Sequence, residues 1–306
     1  VRRIEDPALV AGQGRFTDDV SVPGQACLSL QRSPYPHARI VGVDTAAALA
    51  MPGVLAIYTG ADLVAAGLKP IGSQPMFPAP GGGAAPKTPR HALAVGEVRF
   101  VGEAVVAVVA ETLDQARAAR DAVLVDYDEL PNVTHLADAT AAGAPKVWAD
   151  AADNFAAEMQ HGDAAACDAA FAKAAHVVAL DLVNQRLAPT PLEPRAVLGS
   201  VEAGRVTLRL SSQMPSGVRD TLCKEVFGWP TDQLRVVVGD VGGGFGMKTG
   251  AYPEDIVVTF CAHTLQRAVK WVAERSDEFL AAGHGRDVDS HAELALDADG
   301  RVLGLR

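Results

Sequence analysis

The sequence predicts a mixed α and β (α+β) protein in two domains, residues 1–140 and 150–306, and three observations carry that expectation. With 306 residues, 49% hydrophobic and 21% charged, the chain has globular composition and about twice the usual ~150-residue domain length. Glu103-Ala104-Val105-Val106-Ala107-Val108-Val109-Ala110 is an unbroken apolar run, the pattern of a strand buried on both faces. A helix from Thr112 to Ala122 and a strand Val123-Leu124-Val125-Asp126-Tyr127 follow it, with Thr112 as a good N-cap. The same strand, helix, strand order recurs after a break at about 139–153, where Gly143, Pro145 and small residues replace the alternation. Two hydrophobic cores are expected.

The remaining elements follow in order. Pro70 to Pro89, with Pro78-Ala79-Pro80-Gly81-Gly82-Gly83-Ala84-Ala85-Pro86, supplies neither helical periodicity nor a sheet ladder and predicts a long exposed loop. Asp163 caps a helix from Ala164 to Ala175, and His176 to Val183 reads as a strand. Val197 to Leu210 predicts a hairpin turning at Ala203-Gly204. Pro215 to Phe227 predicts a helix with Val218, Leu222, Val226 and Phe227 on its apolar face and Gly228 closing it. Leu234 to Val238 is a strand, Pro253 to Leu265 a helix with proline in its first turn, and Val269 to Val272 another strand. A hairpin, Ala292–Leu296 and Arg301–Leu305, turns at Asp297 to Gly300; its second strand at the very terminus suggests a chain cut short.

Composition excludes several functions. Against 37 acidic residues stand 27 basic ones, a net charge of -10 that repels a phosphate backbone, so nucleic acid is not an expected partner. Cys27, Cys167, Cys223 and Cys261 form no CxxC and no zinc-ligand spacing, which suits buried free thiols in a reducing compartment. No stretch reaches the ~18 apolar residues of a membrane span, and the start lacks the apolar run of a signal peptide; the expected location is the cytoplasm. His37 and His91 sit among prolines and read as loop histidines.

The most informative stretch is Val236-Val237-Val238-Gly239-Asp240-Val241-Gly242-Gly243-Gly244-Phe245-Gly246-Met247-Lys248. Its glycines permit positive φ and close backbone approach, so several N–H groups can converge on an anionic or oxo ligand. A P-loop needs glycine before the lysine, where Met247 stands, and a dinucleotide fingerprint starting at Gly242 needs glycine at the same place. Upstream, Ser211-Ser212-Gln213-Met214-Pro215 ends a strand in small polar residues just before a helix N-terminus, where unpaired N–H groups favour anions. Taken singly, the cluster also suits a tight ligand-free turn, and Gln213 a solvated loop side chain.

Together these stretches resemble the N-terminal half of the large, molybdopterin-binding subunit of molybdenum hydroxylases, the family of xanthine dehydrogenases, aldehyde oxidoreductases and aerobic carbon monoxide dehydrogenases. In that family a Thr/Ser-Gln, a helix and a Gly-Gly-Gly-Phe-Gly-X-Lys loop form the first half of the cofactor site. Asp6 to Asp19, Arg32 to Ile40, Val101 to Ala107, Val125 to Pro131 and Leu192-Glu193-Pro194-Arg195 extend the likeness in order along the chain. The resemblance implies a small hammerhead-like α/β domain over 1–140 and the first molybdenum-cofactor-binding domain over 150–306, incomplete relative to the family. It implies that Gln213, Gly243, Gly244, Phe245 and Gly246 contact a molybdenum-pterin cofactor, taken as molybdopterin cytosine dinucleotide, without being metal ligands. No catalytic residue is identifiable: the family's general-base glutamate and most of its substrate pocket lie beyond position 306. Glu193, Glu254 and Asp255 are assigned only local roles in a turn or at a helix start.

The implied reaction is hydroxylation of a small aldehyde or N-heteroaromatic molecule, with water as the oxygen source. Electrons would leave through 2Fe-2S clusters and FAD on partner subunits, because this chain lacks the clustered cysteines for them. The implied partners are an iron-sulfur subunit, an FAD subunit and a C-terminal molybdopterin-binding half, so the chain alone is expected to be inactive. Thr249 stands after Lys248 where xanthine-type members carry a glutamate, which disfavours a purine, and Met247 replaces a frequent glycine and is expected to narrow access. The alternatives are a carbon monoxide dehydrogenase-type large subunit or a noncatalytic assembly module of the same fold.

Overall fold

The computed structural model describes residues 3–72 and 77–306. Its strands are β1 Ala26–Arg32, β2 Ala38–Asp44, β3 Val54–Thr59, β4 Glu97–Val98, β5 Ala104–Ala110, β6 Leu124–Glu129, β7 His176–Asn184, β8 Ala196–Glu202, β9 Arg205–Leu210, β10 Leu234–Val237, β11 Val269–Val272, β12 Val288–Leu296 and β13 Val302–Leu305. The chain divides into two compact units that each collect separated stretches: Val1–Ser73, Thr88–Asn132 and Ala188–Gly283 in one, Gln74–Lys87, Val133–Leu187 and His284–Arg306 in the other.

The larger unit is organised by a seven-stranded sheet in the order β10-β9-β8-β11-β1-β5-β3. Strand β5 explains its own sequence. Every residue of it is buried, it lies between β1 and β3, and its two faces feed different cores. Ala104, Ala107 and Val109 join the core built with Leu28, Leu208, Leu222, Ile256 and Trp271; Val105, Val106 and Val108 join the other, with Ala38, Val98 and Ala119. An alternating strand would place polar groups in one of these cores, at a cost of a few kcal/mol for each unpaired group.

Thr112 caps the helix Leu113–Asp121 in a reciprocal box with Gln115, as its position suggested. The strand after that helix, β6, pairs with β2 in a separate three-stranded sheet, β4-β2-β6, rather than rejoining β5. The hairpin turning at Ala203-Gly204, the helix Pro253–Leu265 and strand β11 form as expected. That helix packs against β8 so closely that a Cβ on Gly199 would stand 3.0 Å from the Val258 side chain, which accounts for glycine there.

Several elements depart from the sequence expectation. The helix begun at Pro215 is α-helical only to Asp220 and continues as a π-helix over Thr221–Phe227 before the left-handed Gly228 ends it. The helix Arg275–Ala281 lacks an apolar stripe legible in the sequence; its acids face arginines instead. The Ala164 helix stops at Ala172, three residues early. In the 70–89 segment an Ile71–Arg90 bridge and a short 3-10 turn at Pro80–Gly82 break up the expected loop, part of which, 73–76, lies outside the described residues.

The smaller unit carries the sheet β13-β12-β7, with the Asp163-capped helix packed on β13; a Cβ on Gly304 would meet Ala170 at 3.1 Å. Among the described residues no helix is long and apolar enough to cross a membrane.

Candidate functional site

Strands β9 and β10 are parallel neighbours with Arg209 opposite Val237, so their C-terminal ends open side by side. The chain leaving β9 is Ser211-Ser212-Gln213, and the chain leaving β10 is the glycine-rich loop. Sheet topology therefore brings together two stretches some thirty residues apart.

The contact between them is direct. Gln213 Oε1 accepts a hydrogen bond from the Gly246 amide at 3.0 Å, and the Gln213 amide donates to the Lys248 carbonyl at 2.8 Å. A Cβ on Gly244 would collide with the Gln213 side chain, so glycine is the condition for this approach. Gly243 (φ 104°), Phe245 (φ 51°) and Gly246 (φ 82°) all have positive φ, which turns the loop into a tight arc. The amides of Gly243, Gly244 and Phe245 and the Gln213 Nε2 group find no acceptor among the described residues. The Phe245 ring lies over Gly243 and is 72% exposed. Three successive free N–H donors stand beside a free side-chain amide, a donor set of the kind that can bind an anionic or oxo-bearing group.

Below the arc, both ends of the loop are tied to Glu193. Its Oε2 accepts from the Gly242 amide (2.8 Å), Ser211 Oγ (2.6 Å) and Lys248 Nζ (3.0 Å), while Lys248 Nζ also donates to the Glu193 carbonyl and to Ser211 Oγ, each at 2.8 Å. The Lys248 side chain is wholly buried, and burial lowers its pKa although Glu193 opposes the shift. Glu193 Oε1 is buried without a partner. Behind this tie runs a chain of alternating charges, Asp277, Arg32, Glu254, Arg195 and Glu278, with contacts of 2.7 to 2.9 Å. Burial favours neutral Glu254, but Arg195 and Arg32 outweigh it and hold the carboxyl down to about 2. Arg195 also stacks on Tyr252, 3.9 Å from the ring centre, and Tyr252 in turn donates to the Met247 carbonyl at 2.7 Å.

Gln213, Gly243, Gly244, Phe245 and Gly246 thus meet in one place. Glu193 and Glu254 carry more than the local roles expected of them, and only Asp255 stays within its helix start, accepting from the Tyr252 amide. A lysine buried after Gly-Phe-Gly-Met demands a carboxylate, and that was the available signal; spacing could not show that the partner stands 55 positions earlier. Met247 turns inward, 4% exposed, so its bulk lies in the interior and not over the open side of the arc. Thr249 Oγ1 closes the turn on the Gly246 carbonyl at 2.8 Å. His37 binds the Pro131 carbonyl, 2.9 Å away, well apart from the loop in sequence. Among the described residues no group of three or more His, Cys, Asp or Glu side chains converges.

A model of the molybdopterin cofactor-binding domain matches residues 147–306, and the a/b hammerhead domain of aldehyde oxidase and xanthine dehydrogenase matches residues 11–131. The chain belongs to the molybdenum hydroxylase family. It is 35% identical to the carbon monoxide dehydrogenase large chain of Hydrogenophaga pseudoflava, over 99% of this chain and 38% of that one. It is 34% identical to the nicotine 6-hydroxylase large subunit of Paenarthrobacter nicotinovorans, over 100% of this chain and 37% of that one. Quinoline 2-oxidoreductase from Pseudomonas putida 86 superposes with a TM-score of 0.90 at 34% identity, covering 100% of this chain and 38% of its own. The chain therefore spans well under half the length of these molybdenum hydroxylase subunits.

Proposed function

We propose that this chain forms one wall of the molybdenum-pterin cofactor site of a multi-subunit oxidoreductase that hydroxylates a small aldehyde or N-heteroaromatic substrate with water. The observation that carries the reading is the arc of unpaired amides at Gly243, Gly244 and Phe245, set against Gln213. Backbone donors of this kind suit oxo and phosphate oxygens, and they need no side-chain charge. The cofactor, proposed as the cytosine dinucleotide form, would supply the redox centre. Gln213 would orient it through Nε2 while Oε1 stays committed to Gly246, and Phe245 would exclude water from the arc's open side.

Electron transfer requires partners in this reading: an iron-sulfur subunit, an FAD subunit and polypeptide equivalent to the rest of the relatives' length. The four cysteines are free thiols, which supports a cytoplasmic setting. A carbon monoxide dehydrogenase-type activity is the second reading. It is favoured by the 35% identity to such a large chain, which is no weaker than the 34% identity to the nicotine hydroxylase subunit.

Metal and pterin analysis of the assembly purified from its own cells tests the proposal. Molybdenum and pterin in near-equal amounts are expected, and an intact assembly without either overturns it. The chain expressed by itself should hold little molybdenum, since one wall of neutral donors gives an incomplete site.

A further inference from the structure

The buried ammonium of Lys248 and the carboxylate of Glu193 are more than the amide arc needs in order to donate hydrogen bonds, yet they meet both of its ends. Glu193 takes the Gly242 amide at the loop's entry, and Lys248, at its exit, is bonded to Glu193 through both the carboxylate and the carbonyl. The Lys248 carbonyl then receives the Gln213 amide, and Gln213 receives the Gly246 amide. We infer that Glu193 and Lys248 are positioning residues: their ion pair closes the base of the glycine loop and sets the register between the amide arc and Gln213.

The points that the bonds join set this role apart from simple charge burial. A buried lysine needs one counter-ion and three acceptors in total, and Lys248 has them. All three of Glu193's side-chain bonds crowd onto Oε2, the oxygen facing the loop, while Oε1 is left buried and unsatisfied. Glu278 also leaves one buried oxygen unpaired, but its single ion pair goes to Arg195, whereas the bonds of Glu193 Oε2 reach three separate points of the loop and the strand end before it. Here Oε1 is left unsatisfied while Oε2 alone joins loop entry, loop exit and the Ser211 strand end.

The inference rests on the cofactor reading only for the identity of what the arc holds. Glu193→Met, Lys248→Met and the double substitution, made in the purified assembly, test it by three readouts: thermal midpoint, pterin and molybdenum content, and amide hydrogen exchange. The informative amides are Gly246 and Gln213, whose acceptors none of these variants removes. Each single variant is expected to lower the thermal midpoint, to speed exchange at Gly246 and Gln213 by roughly tenfold or more, and to deplete pterin, with Val105 to Val109 unchanged. The double variant, which buries no unpaired charge, is expected to recover its midpoint while exchange stays fast and pterin stays low. Recovery of slow exchange together with the midpoint would reduce the pair to charge compensation and overturn the inference, as would single variants with wild-type exchange. A wild-type assembly free of pterin defeats the cofactor reading instead, and the exchange measurements still decide the clamp.

Discussion

Glu193 and Glu254 are both withdrawn from solvent in the same unit, and they bind cations in opposite styles. Glu254 gives one oxygen to Arg32 and the other to Arg195, inside a chain of five alternating charges that links β1, the segment before β8 and two helices. Glu193 directs one oxygen at a loop and leaves the other unpaired. The shared bonds of Glu254 join elements that are already rigid, whereas the bonds of Glu193 tie down a segment that has no ladder of its own. Position in sequence hides the difference, since Glu193 and the network's Arg195 stand two residues apart.

The largest effect expected from this contrast is on stability. Glu254→Gln leaves two buried guanidiniums sharing a neutral partner and should cost about 3–5 kcal/mol, read as a shift in the denaturant midpoint. Glu193→Gln keeps an acceptor for Gly242, and Lys248, whose pKa burial already lowers, can shed its proton as the arginines cannot, so the cost should be less, about 1–3 kcal/mol. Equal losses would mean that the two carboxylates do the same work.

The next effect is in pH dependence, and it sets Glu254 against its neighbour Asp255. Both are buried, but Asp255 forms no ion pair among the described residues, so burial pushes its pKa up to about 7 against the Tyr252 amide bond, with the Glu254 charge adding to the rise and Arg195 opposing it. Glu254, lowered to about 2, contributes stability that is present above the ordinary glutamate pKa and lost as pH falls toward 2. Asp255 acts with the opposite sign: its contribution is complete below the ordinary aspartate pKa and disappears as pH rises through about 7. Stability should therefore decline by on the order of a few kcal/mol from pH 4 to pH 7. Asp255→Asn should flatten that decline while leaving the acid limb in place. A variant that still loses stability over pH 4 to 7 would assign the titration to another group.

How much of this the sequence revealed depends on whether the signal was local. Strand β5, the Thr112 cap and the β8–β9 hairpin follow from residues within a few positions of one another, and they formed as expected. Strand β7 shows the limit, because its apolar run resembles that of β5, yet Val178, Leu180 and Leu182 are about half exposed. Periodicity specifies a strand but not what covers it. The helix Arg275–Ala281 is held by Glu278 and Asp277 on distant arginines, and no pattern along the helix could announce that. In the site, the donors were legible because glycine and glutamine carry their chemistry locally. The Glu193–Lys248 tie was not, because it depends on the parallel pairing of β9 with β10.

Gly244→Ala separates loop geometry from stability. The added methyl group would collide with the Gln213 side-chain amide, a flexible group that can swing away, so the stability loss should stay near 1 kcal/mol. Moving Gln213 would break its bond to Gly246, however, and molybdenum content should fall severalfold. A variant with full metal content would show that Gln213 need not touch the loop.

The smallest effect is expected at Thr249, whose hydroxyl closes the turn on Gly246 from the exposed side of the loop. If the Glu193–Lys248 pair sets the arc, this outer bond is redundant, and Thr249→Ala should cost only about 0.5 kcal/mol with no change in metal content. Thr249→Ser, which keeps the hydroxyl, should match the wild type in thermal midpoint. A Thr249→Ala loss as large as that of Glu193→Gln would place control of the loop on its solvent face, because only then would a single exposed hydrogen bond outweigh an ion pair that meets both ends.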